Sequence, residues 1–337
     1  MVSQMNQVME ALFQHVARRG SYSMSELQSA LNIDENTLQS TIEELCSISH
    51  LYQYDAQMKI LVTLADYVPL DQRQILTQLP KDISDHVLMK CSFVTDSTNT
   101  DLERIQLRSL TQHDGILAAV AVTEMQRGGR GRRAKKWISP LAKNLYFSFK
   151  YHFPQSAFPH LSTLSLRAGI ALLEALNSLG IESAKIKWPN DIWVNGQKLA
   201  GILVESTITS QGMDVIIGIG VNNQEDSFSE VVGNHPTSCE AVLGQPLNRN
   251  NLVAALTSRL YEICQQIVYT PEKLLDLKEA WKLHSCFVGK TVRLISDKAE
   301  EIGQEIGIDE SGALLIQYAD GSIKPHLSGD LSLRAYS

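Results

Sequence analysis

The sequence has few cysteines and no long apolar segment. Its five cysteines, Cys46, Cys91, Cys239, Cys264 and Cys286, are scattered, odd in number and free of any C-x-x-C pair. This usage is typical of reduced thiols and not of a disulfide framework. The first twenty residues lack an apolar signal segment, and no apolar run approaches the roughly 20 residues of a membrane-spanning helix. We therefore expect a cytoplasmic protein that does not enter a membrane.

Positive charge is scarce overall but concentrated in one place. The formal net charge of −7 argues against a general affinity for nucleic acid. Against this background, residues 127–136 (R-G-G-R-G-R-R-A-K-K, the basic loop) contain six bases and three glycines. Because like charges repel and glycines lose much backbone freedom on ordering, we expect this loop to order when it binds a polyanion. That partner is either a nucleic acid or the phosphates of a nucleotide.

Residues 1–66 have the pattern of a winged helix-turn-helix domain. Apolar residues at helical spacing predict three helices, over 4–17, 25–31 and 34–45. Two strand-like runs follow, between residues 51 and 64, as in the wing of such a domain. The candidate base-reading side chains on the third helix are Asn36, Thr37, Gln39 and Ser40.

The charge of this domain leaves two interpretations open. Residues 1–66 contain three bases, Arg18, Arg19 and Lys59, against eight acids, a formal net charge of 3 − 8 = −5. Phosphate contacts supply most non-specific DNA affinity, and the third helix carries no base. The domain is either a DNA-binding module or a regulatory or dimerising module that has kept the fold.

The rest of the chain predicts a linker and two further domains. Residues 67–83, with two prolines and several polar side chains, are predicted to be a linker. Strand-like and helical runs over residues 84–286 predict a central α/β domain. Short strands with Gly/Asp turns over residues 287–337 predict a small β-barrel. The fold class is therefore expected to be multidomain α/β (α+β).

Four motifs in the central domain carry the chemistry. They are the basic loop, K-W-P-N-D at 187–191, K-L-A-G at 198–201 and G-I-G-V-N at 218–222. Each motif alone is compatible with an ordinary strand-to-turn junction or a packing point. Together they indicate a site that binds phosphate groups and in which glycines let the backbone come close to the ligand. The G-K-T run at 289–291 is not a phosphate-binding loop, since that motif requires glycine where the chain has His284. No cluster of side chains predicts a protein-bound metal.

With T-D-S-T-N at 95–99, these motifs give the chain a close resemblance to biotin–protein ligases. The winged-helix N-terminus makes it similar to the bifunctional type, which is both a ligase and a biotin-operon repressor. The resemblance implies a catalytic domain with a mixed sheet like that of class II synthetases. It implies that biotin and ATP, with Mg²⁺, give biotinyl-5′-AMP and pyrophosphate. Biotin would then pass to a lysine of the biotin carboxyl carrier protein of acetyl-CoA carboxylase.

The resemblance also implies roles for individual residues. Those implied in catalysis are Lys198, Arg130, Arg132, Lys187 and Asp191. Those implied in biotin binding are Ser97, Thr98, Asn99, Gln126, Gly129, Arg130, Gly131, Arg132, Trp137, Lys198 and Gly201. Those implied in ATP or adenylate binding are Arg130, Arg132, Arg133, Lys187, Asn190, Lys198, Gly220, Asn222, Lys324 and Arg334.

Two segments depart from the family pattern. The family's loop usually has glycine and arginine where this chain has Ala134 and Lys135, and alanine disfavours a positive φ. The family's wing usually carries glycine and basic residues, which residues 55–58 lack. The first departure predicts a different loop conformation at Ala134, and the second weakens the expectation of repression.

Two alternatives to a biotin–protein ligase remain. One is a lipoate–protein ligase, whose catalytic fold is related. The other is a protein that is chiefly a biotin-responsive DNA-binding regulator. The bifunctional type further implies operator DNA as a partner and a homodimer that forms when the adenylate binds.

Overall fold

A computed structural model describes residues 2–225, 236–295, 300–327 and 332–335 of the chain. Its N-terminal part is a winged helix-turn-helix, as the sequence predicts. The elements are α1 (Val2–His15), β1 (Gly20–Ser23), α2 (Met24–Leu31), α3 (Glu35–Ile48), β2 (Tyr52–Asp55) and β3 (Ile60–Thr63). The wing has one strand more than predicted, because β1 joins β2 and β3 in an antiparallel sheet of order β1-β3-β2.

Local sequence fixes the ends of these helices. Ser23 and Glu26 form a capping box at the start of α2, and Asn32 ends it with a left-handed φ of 52°. Asp34 then caps α3 by accepting a hydrogen bond from the backbone N–H of Thr37. The turn between the two helices is therefore specified by short polar side chains.

The predicted linker over residues 67–83 is instead mainly helical. It contains α4 (Gln72–Gln78) and α5 (Lys81–Ser84), and Ile75, Leu79 and Ile83 are buried in the core of the central domain. These three residues recur every four positions, which is a helical spacing that the prolines and polar residues obscured. The segment is thus part of the central domain and not a free connector.

The central domain is built on a seven-stranded mixed sheet of order β4-β5-β6-β10-β9-β8-β7, in which β4 and β5 are parallel. Its strands are β4 (Val87–Thr95), β5 (Ala118–Gln126), β6 (Leu145–Pro154), β7 (Lys185–Lys187), β8 (Asp191–Val194), β9 (Gln197–Thr209) and β10 (Gly212–Val221). Its helices are α6 (Thr98–Glu103), α7 (Leu107–Asp114), α8 (Phe158–Leu161), α9 (Leu164–Ser178), α10 (Cys239–Leu243), α11 (Arg249–Tyr269) and α12 (Leu277–His284).

Helices cover both faces of this sheet. Val120 and Val122 of β5 belong to the large core that includes α9 and α11. Ala119 and Ala121 point to the other face, since strand side chains alternate. On that face they pack with Leu102, which belongs to α6. Helix α6 therefore lies on the face opposite the main core.

The winged helix packs directly on the central domain. The ring centroids of Phe13 and Phe93, in α1 and β4, lie 5.0 Å apart. Leu141 and Ala142, which follow the basic loop, are buried in the same N-terminal core. The two domains therefore share apolar surface next to the basic loop.

The C-terminal strands form an open sheet and not the predicted small barrel. The strands are β11 (Thr291–Ile295), β12 (Glu300–Ile308), β13 (Leu314–Gln317), β14 (Ile323–His326) and β15 (Ser332–Ala335). They are antiparallel, in the order β14-β13-β12-β11-β15, and the two outer strands do not pair with each other in the described part of the chain. The apolar face, with Val292, Leu294 and Ile316, packs into the core of the central domain. Because that domain covers the face, the sheet does not need to close on itself.

No helix among residues 2–225, 236–295, 300–327 and 332–335 combines the length and the apolarity that crossing a bilayer requires.

Candidate active site

The basic loop folds as a short hairpin over the sheet. Backbone hydrogen bonds join Gly131 N–H to the carbonyl of Lys135 (2.7 Å) and Trp137 N–H to that of Gly129 (2.9 Å). The turn at its tip has positive φ at Arg133 (56°) and Ala134 (55°). The loop therefore takes the conformation that favours glycine at the position where this chain has alanine.

A pocket lies between this hairpin, α6 and the strands β6, β9 and β10. The sequence-predicted residues that line it are Ser97, Thr98, Asn99, Gln126, Arg130, Gly131, Arg132, Trp137, Asn190, Lys198, Gly201 and Gly220. The fold thus brings together residues up to about 120 positions apart, since Ser97 and Gly220 line the same cavity.

One end of the pocket is a network of neutral polar groups. Gln126 Oε1 accepts from the N–H of Thr98 (3.0 Å), and Gln126 Nε2 donates to Ser139 Oγ (3.1 Å). The Ser148 hydroxyl lies 2.7 Å from the Thr98 hydroxyl and also contacts Asn99 Oδ1. These groups offer donors and acceptors without net charge, which suits a neutral ligand that both donates and accepts hydrogen bonds.

Two glycines of β10 make room for the side chains that flank the pocket. A Cβ at Gly218 would lie 2.4 Å from Asn99 Oδ1, and a Cβ at Gly220 would lie 2.3 Å from the Trp137 indole. Any larger residue would displace these groups. The glycines of G-I-G-V-N are therefore close-approach positions, as the motif predicts.

The other end of the pocket is cationic. Lys198 Nζ lies 2.7 Å from Asp191 Oδ1 and 5.5 Å from the centroid of Trp137, and both side chains of the ion pair are 21% exposed. Arg132 donates to Asn190 Oδ1 at 3.1 Å. Asn190 is itself held by a hydrogen bond from its Nδ2 to the carbonyl of Ile202. A side-chain amide thus fixes one arginine of the hairpin beside the lysine of β9.

Arg130 is held by acidic groups at the mouth of the pocket. Its guanidinium lies 2.9 Å from Glu205 Oε2 and 3.1 Å from Glu103 Oε1, and it donates to Thr100 Oγ1. Glu205 also accepts from Asn99 Nδ2 at 2.6 Å. A single carboxylate therefore links the hairpin to the neutral polar network.

Lys187 lies apart from the pocket lining, with its Nζ 3.9 Å from the ring centroid of Trp193. Burial lowers the pKa of Lys187 to about 8; Arg334 and Lys198 also lower it, while Asp191 opposes the shift. A lysine whose charge changes near neutral pH is typical of functional sites as well as of buried structural positions.

The remaining predicted residues do not line the pocket. Gly129 lies within the hairpin, where a Cβ would be 2.4 Å from the carbonyl oxygen of Trp137, and Arg133 is at its exposed tip. Asn222 is buried and donates to the backbone carbonyls of Lys198 and Thr237. Lys324 lies on the edge strand β14 with its ammonium over the Tyr318 ring, and Arg334 lies on β15 near Lys187.

The sequence analysis missed several groups at the site. The additional lining residues are Tyr146, Phe147, Ile202, Leu203, Gly218 and Ile219. Ser148, Glu205 and Ser139 add polar contacts. The strict alternation of β6 groups Tyr146 with Ser148 on one face, and this was the signal that could have identified Ser148. The sequence contains no such signal for Glu205. Its role depends on the contact between β9, where it lies, α6 and the hairpin of the basic loop.

Of the four candidate base readers of α3, Asn36, Gln39 and Ser40 are exposed and Thr37 is half-buried. Three of the four already make contacts at or within the helix. Thr37 Oγ1 donates to the capping Asp34, and Gln39 Nε2 donates to Glu43. Ser40 Oγ donates to the carbonyl of Thr37. Base contacts by these side chains would have to replace existing hydrogen bonds.

The wing base is also engaged. Lys59 forms an ion pair with Glu35 at the start of α3. The pair is solvent-exposed, and such pairs are weak individually. It nevertheless places a carboxylate beside one of the three bases of this domain, which lowers the positive potential available to a phosphate.

Family models match two parts of the chain. Residues 92–222 match the Biotin/lipoate A/B protein ligase family, and residues 287–334 match the Biotin protein ligase C terminal domain. The first match contains the hairpin, α6 and all the strands that line the pocket.

Individual relatives match over longer stretches. The bifunctional ligase/repressor BirA of Escherichia coli (strain K12) is 37% identical over 79% of this chain and 78% of its own length. A biotin–[acetyl-CoA-carboxylase] ligase of Paracoccus denitrificans is 30% identical over 66% of this chain and 91% of its own length. The solved biotin protein ligase of Aquifex aeolicus in complex with biotin and ATP has a TM-score of 0.62 and 26% identity, covering 74% of this chain and 99% of that one. The chain therefore belongs to the biotin–protein ligase family, and within it is similar to the bifunctional ligase/repressor type.

Proposed function

We propose that this protein activates biotin with ATP to biotinyl-5′-AMP and pyrophosphate, and then transfers biotin to a lysine of a biotin carboxyl carrier protein. The observation that carries the proposal is the division of one pocket into a neutral polar end and a cationic end. Biotin has matching ends, a neutral ureido group and a carboxylate. Relatives named as biotin ligases and a structural neighbour in complex with biotin and ATP support the same substrates.

At the neutral end, Thr98, Asn99 and Gln126, which line the pocket, would bind the ureido group. Gln126 already orients the backbone N–H of Thr98, and Ser148 fixes Asn99. Buried polar groups that are arranged before the ligand arrives reject ligands that leave them unpaired. Lipoate lacks a ureido group, so this end of the pocket favours biotin over lipoate.

At the cationic end, Lys198 would lie between the biotin carboxylate and the α-phosphate of ATP. One carboxylate oxygen attacks the α-phosphorus, the bond from that phosphorus to the bridging oxygen breaks, and pyrophosphate leaves. Two anions meet in this step, and preorganised cations stabilise the charge that develops, by a few kcal/mol for one donor. Arg132 and Arg130 would hold the phosphate of the adenylate, and Lys187 would add a further positive charge.

Mg²⁺ is proposed as the partner of the ATP phosphates. Within the described residues, no group of three or more His, Cys, Asp or Glu side chains could hold a metal. Asp191 is the carboxylate next to Lys198 and could contact such an ion or orient the attacking lysine. Phosphate oxygens and water are the usual ligands of Mg²⁺ at nucleotide sites and would hold it here.

After activation, the hairpin would act as a lid. A mixed anhydride reacts readily with water, so its retention depends on Arg132 and Trp137 staying over it until the carrier lysine arrives. The amine of that lysine attacks the carbonyl carbon, the C–O bond to AMP breaks, and an amide forms. Asp191 could accept the proton that the amine loses.

The decisive experiment is ATP-dependent transfer of biotin to a purified carrier domain. Incorporation of labelled biotin into the carrier lysine, with release of pyrophosphate and AMP, is the expected result. Lipoate in place of biotin, and a carrier whose lysine is replaced by arginine, serve as controls. Transfer of lipoate at a rate equal to that of biotin would contradict the proposed substrate.

Repression of transcription is a second proposed function, supported by the winged-helix fold and by relatives named as bifunctional ligase/repressors. Operator DNA would meet α3 and the wing, with Asn36, Thr37, Gln39 and Ser40 nearest the bases. We propose a homodimer on adenylate binding as the DNA-binding form. A gel shift with the protein's own upstream DNA, with and without biotinyl-5′-AMP, tests it, and no adenylate-dependent shift would contradict it.

A cytoplasmic location is part of the same proposal. The five cysteines are scattered and form no C-x-x-C pair, a usage typical of a reducing compartment. ATP and the carrier protein of acetyl-CoA carboxylase would be available there.

A further inference from the structure

Helix α6 carries two side chains of the neutral polar end, Thr98 and Asn99, yet it spans only six residues, Thr98–Glu103. So short a helix makes few internal hydrogen bonds and has little stability of its own. Its position must therefore be set by contacts with the sheet, and any group that holds it also determines where Thr98 and Asn99 lie.

A buried lysine of β6 holds the C-terminal end of this helix. The Nζ of Lys150 donates to the backbone carbonyls of Leu102 (3.3 Å) and Ile105 (2.8 Å). These carbonyls lie at the end of α6 and just beyond it. Each also accepts a backbone N–H, Leu102 from Ile105 (3.1 Å) and Ile105 from Leu107 (3.0 Å), and a carbonyl oxygen has a second lone pair for the ammonium. Positive charge is also favourable at this end of a helix.

The same strand holds the N-terminal end of the helix. Ser148 precedes Lys150 by two residues and therefore faces the same side of the sheet. Its hydroxyl contacts Thr98 Oγ1 and Asn99 Oδ1. β6 thus contacts α6 at both ends through two side chains.

An aspartate of the neighbouring strand makes the buried lysine possible. Asp214 Oδ2 of β10 lies 3.1 Å from Lys150 Nζ, while its other oxygen lies 2.7 Å from Nδ1 of His152. The Lys150 side chain is only 5% exposed, and a charge at such a site requires a partner. The two carbonyls and Asp214 together provide acceptors for all three protons of the ammonium group.

A second lysine offers an internal comparison. Lys90 of β4 lies 3.1 Å from Asp101 of α6, but its side chain is 46% exposed. The Asp101 side chain is only 8% exposed, so water competes for this pair mainly at the lysine. The contact is expected to contribute less than that of Lys150, whose ammonium is itself buried.

We propose that Lys150, together with Asp214, is a positioning residue that sets the biotin affinity of the pocket by fixing α6. Neither residue lines the pocket. The inference rests on the proposed function, because it assigns biotin to the site that Thr98 and Asn99 line.

The test compares Lys150→Met with the parent, with Lys90→Met, and with the exposed control Lys273→Met. The KM for biotin of Lys150→Met is expected to rise about tenfold, since a charge-assisted contact is lost. Its kcat and its KM for ATP are expected to change less than its KM for biotin, because Lys198 is paired with Asp191 and Arg132 with Asn190, although Arg130 contacts α6 through Glu103. Lys273→Met should match the parent, and Lys90→Met should change the KM for biotin by less than Lys150→Met.

A double variant separates positioning from simple stabilisation. Lys150→Met alone leaves the half-buried Asp214 carboxylate with His152 but without its lysine partner, and should lower the melting temperature. Lys150→Met with Asp214→Asn removes that charge, so the melting temperature should return toward that of the parent. The KM for biotin should remain raised, because the carbonyls of Leu102 and Ile105 still lack the Lys150 ammonium that joins them to β6. A folded double variant with the parental KM for biotin would overturn the proposal.

Hydrogen exchange gives a readout that does not depend on activity. The amide of Asp101, which bonds to the carbonyl of Ser97, should exchange faster in Lys150→Met than in the parent or in Lys273→Met. Unchanged exchange would contradict the positioning role even if activity fell. If the parent itself formed no biotinyl-adenylate, the proposed function would fail, while the exchange result would still decide whether Lys150 fixes α6.

Discussion

The basic loop and the winged helix place their positive charges in opposite surroundings. Arg130 and Arg132 of the loop reach a pocket that also contains Lys198. The winged helix has three bases against eight acids, and its wing base, Lys59, is paired with Glu35. Both segments have architectures associated with phosphate-bearing partners, but only the loop directs several cations to one point.

This difference shows that phosphate binding depends more on where the positive charges lie than on how many there are. Cations at a partly buried pocket act through a lower effective dielectric than exposed ones, so their effect on a phosphate is larger. Exposed bases on an acidic surface are screened and opposed by their neighbours. Phosphate chemistry is therefore expected at the pocket, and DNA affinity of the winged helix is expected to be weak.

The largest expected effect is that of Lys198→Gln. Because Lys198 is proposed to lie between the two reacting anions, its loss should lower the rate of biotinyl-adenylate formation by about 10²- to 10³-fold. Pyrophosphate release measures this step. Lys273→Gln removes an exposed lysine and should keep the parental rate. A rate for Lys198→Gln within threefold of the parental rate would show that Lys198 does not stabilise the reacting anions.

The second effect concerns the lid. Arg132→Gly removes the contact with Asn190, and the adenylate should dissociate about tenfold faster, since a charge-assisted hydrogen bond is lost. The measurement is release of labelled biotinyl-adenylate from preloaded protein. Lys135→Gln, which removes an equal charge from the same hairpin, is the matched control. Retention equal to that of the parent would argue against a lid role for Arg132.

A third prediction follows from the lowered pKa of Lys187. The side chain is charged below its pKa of about 8 and loses its charge above it. The kcat/KM for ATP should therefore fall as the pH rises through about 8, because this parameter reports groups of the free enzyme. Lys187→Arg keeps its charge and should lack that decline. If the kcat/KM for ATP of Lys187→Arg fell with pH as it does in the parent, the decline would belong to another ionisable group.

The stability of the fold should respond to pH in the opposite sense. The pKa of Lys187 lies below its ordinary value of 10.5, so the unfolded chain binds more protons between the two values. The contribution of Lys187 to the unfolding free energy should therefore become more favourable as the pH rises from about 8 to about 10.5. Denaturant unfolding of the parent and of Lys187→Met across this range measures it.

A fourth prediction tests the winged helix. Glu35→Gln removes the partner of Lys59 and should raise non-specific DNA affinity a few-fold. The slope of log K against log salt concentration should become steeper by about one, because one more phosphate is neutralised. Glu44→Gln removes an equal charge from the same helix without releasing Lys59. Fluorescence anisotropy with a DNA duplex at several salt concentrations compares the two. Equal salt slopes for both variants would show that the Lys59 pair does not limit DNA binding.

The smallest expected effect is at Ala134. Its φ of 55° is unfavourable for alanine, so Ala134→Gly should stabilise the ordered hairpin by roughly 1 kcal/mol, less the extra backbone entropy of glycine. Slower tryptic cleavage within the basic loop would show it. Ala142→Gly, also at a positive φ of 60° but outside the hairpin, is the control. Faster cleavage of Ala134→Gly than of the parent would mean that the positive φ at residue 134 does not limit the stability of the hairpin.

Local patterns were sufficient for much of the fold. The apolar spacing in α1 to α3 and the alternation in β6 specified these elements because burial selects side chains at the period of a helix or a strand. The same approach failed for residues 67–83, where Ile75, Leu79 and Ile83 form a helical stripe among prolines and polar residues. It also failed for the C-terminal sheet, whose apolar face is covered by another domain, which no local pattern reveals.

The sequence alone indicated the candidate site, because the glycines, the lysine of K-L-A-G and the basic loop are chemical choices visible along the chain. Only the tertiary structure decided how they act. It paired Lys198 with Asp191, joined Arg130 to Glu205 and placed Lys150 under α6. Such contacts join strands and helices that are distant in sequence, and hydrogen bonding and charge burial depend on distances of a few ångström that only folding establishes.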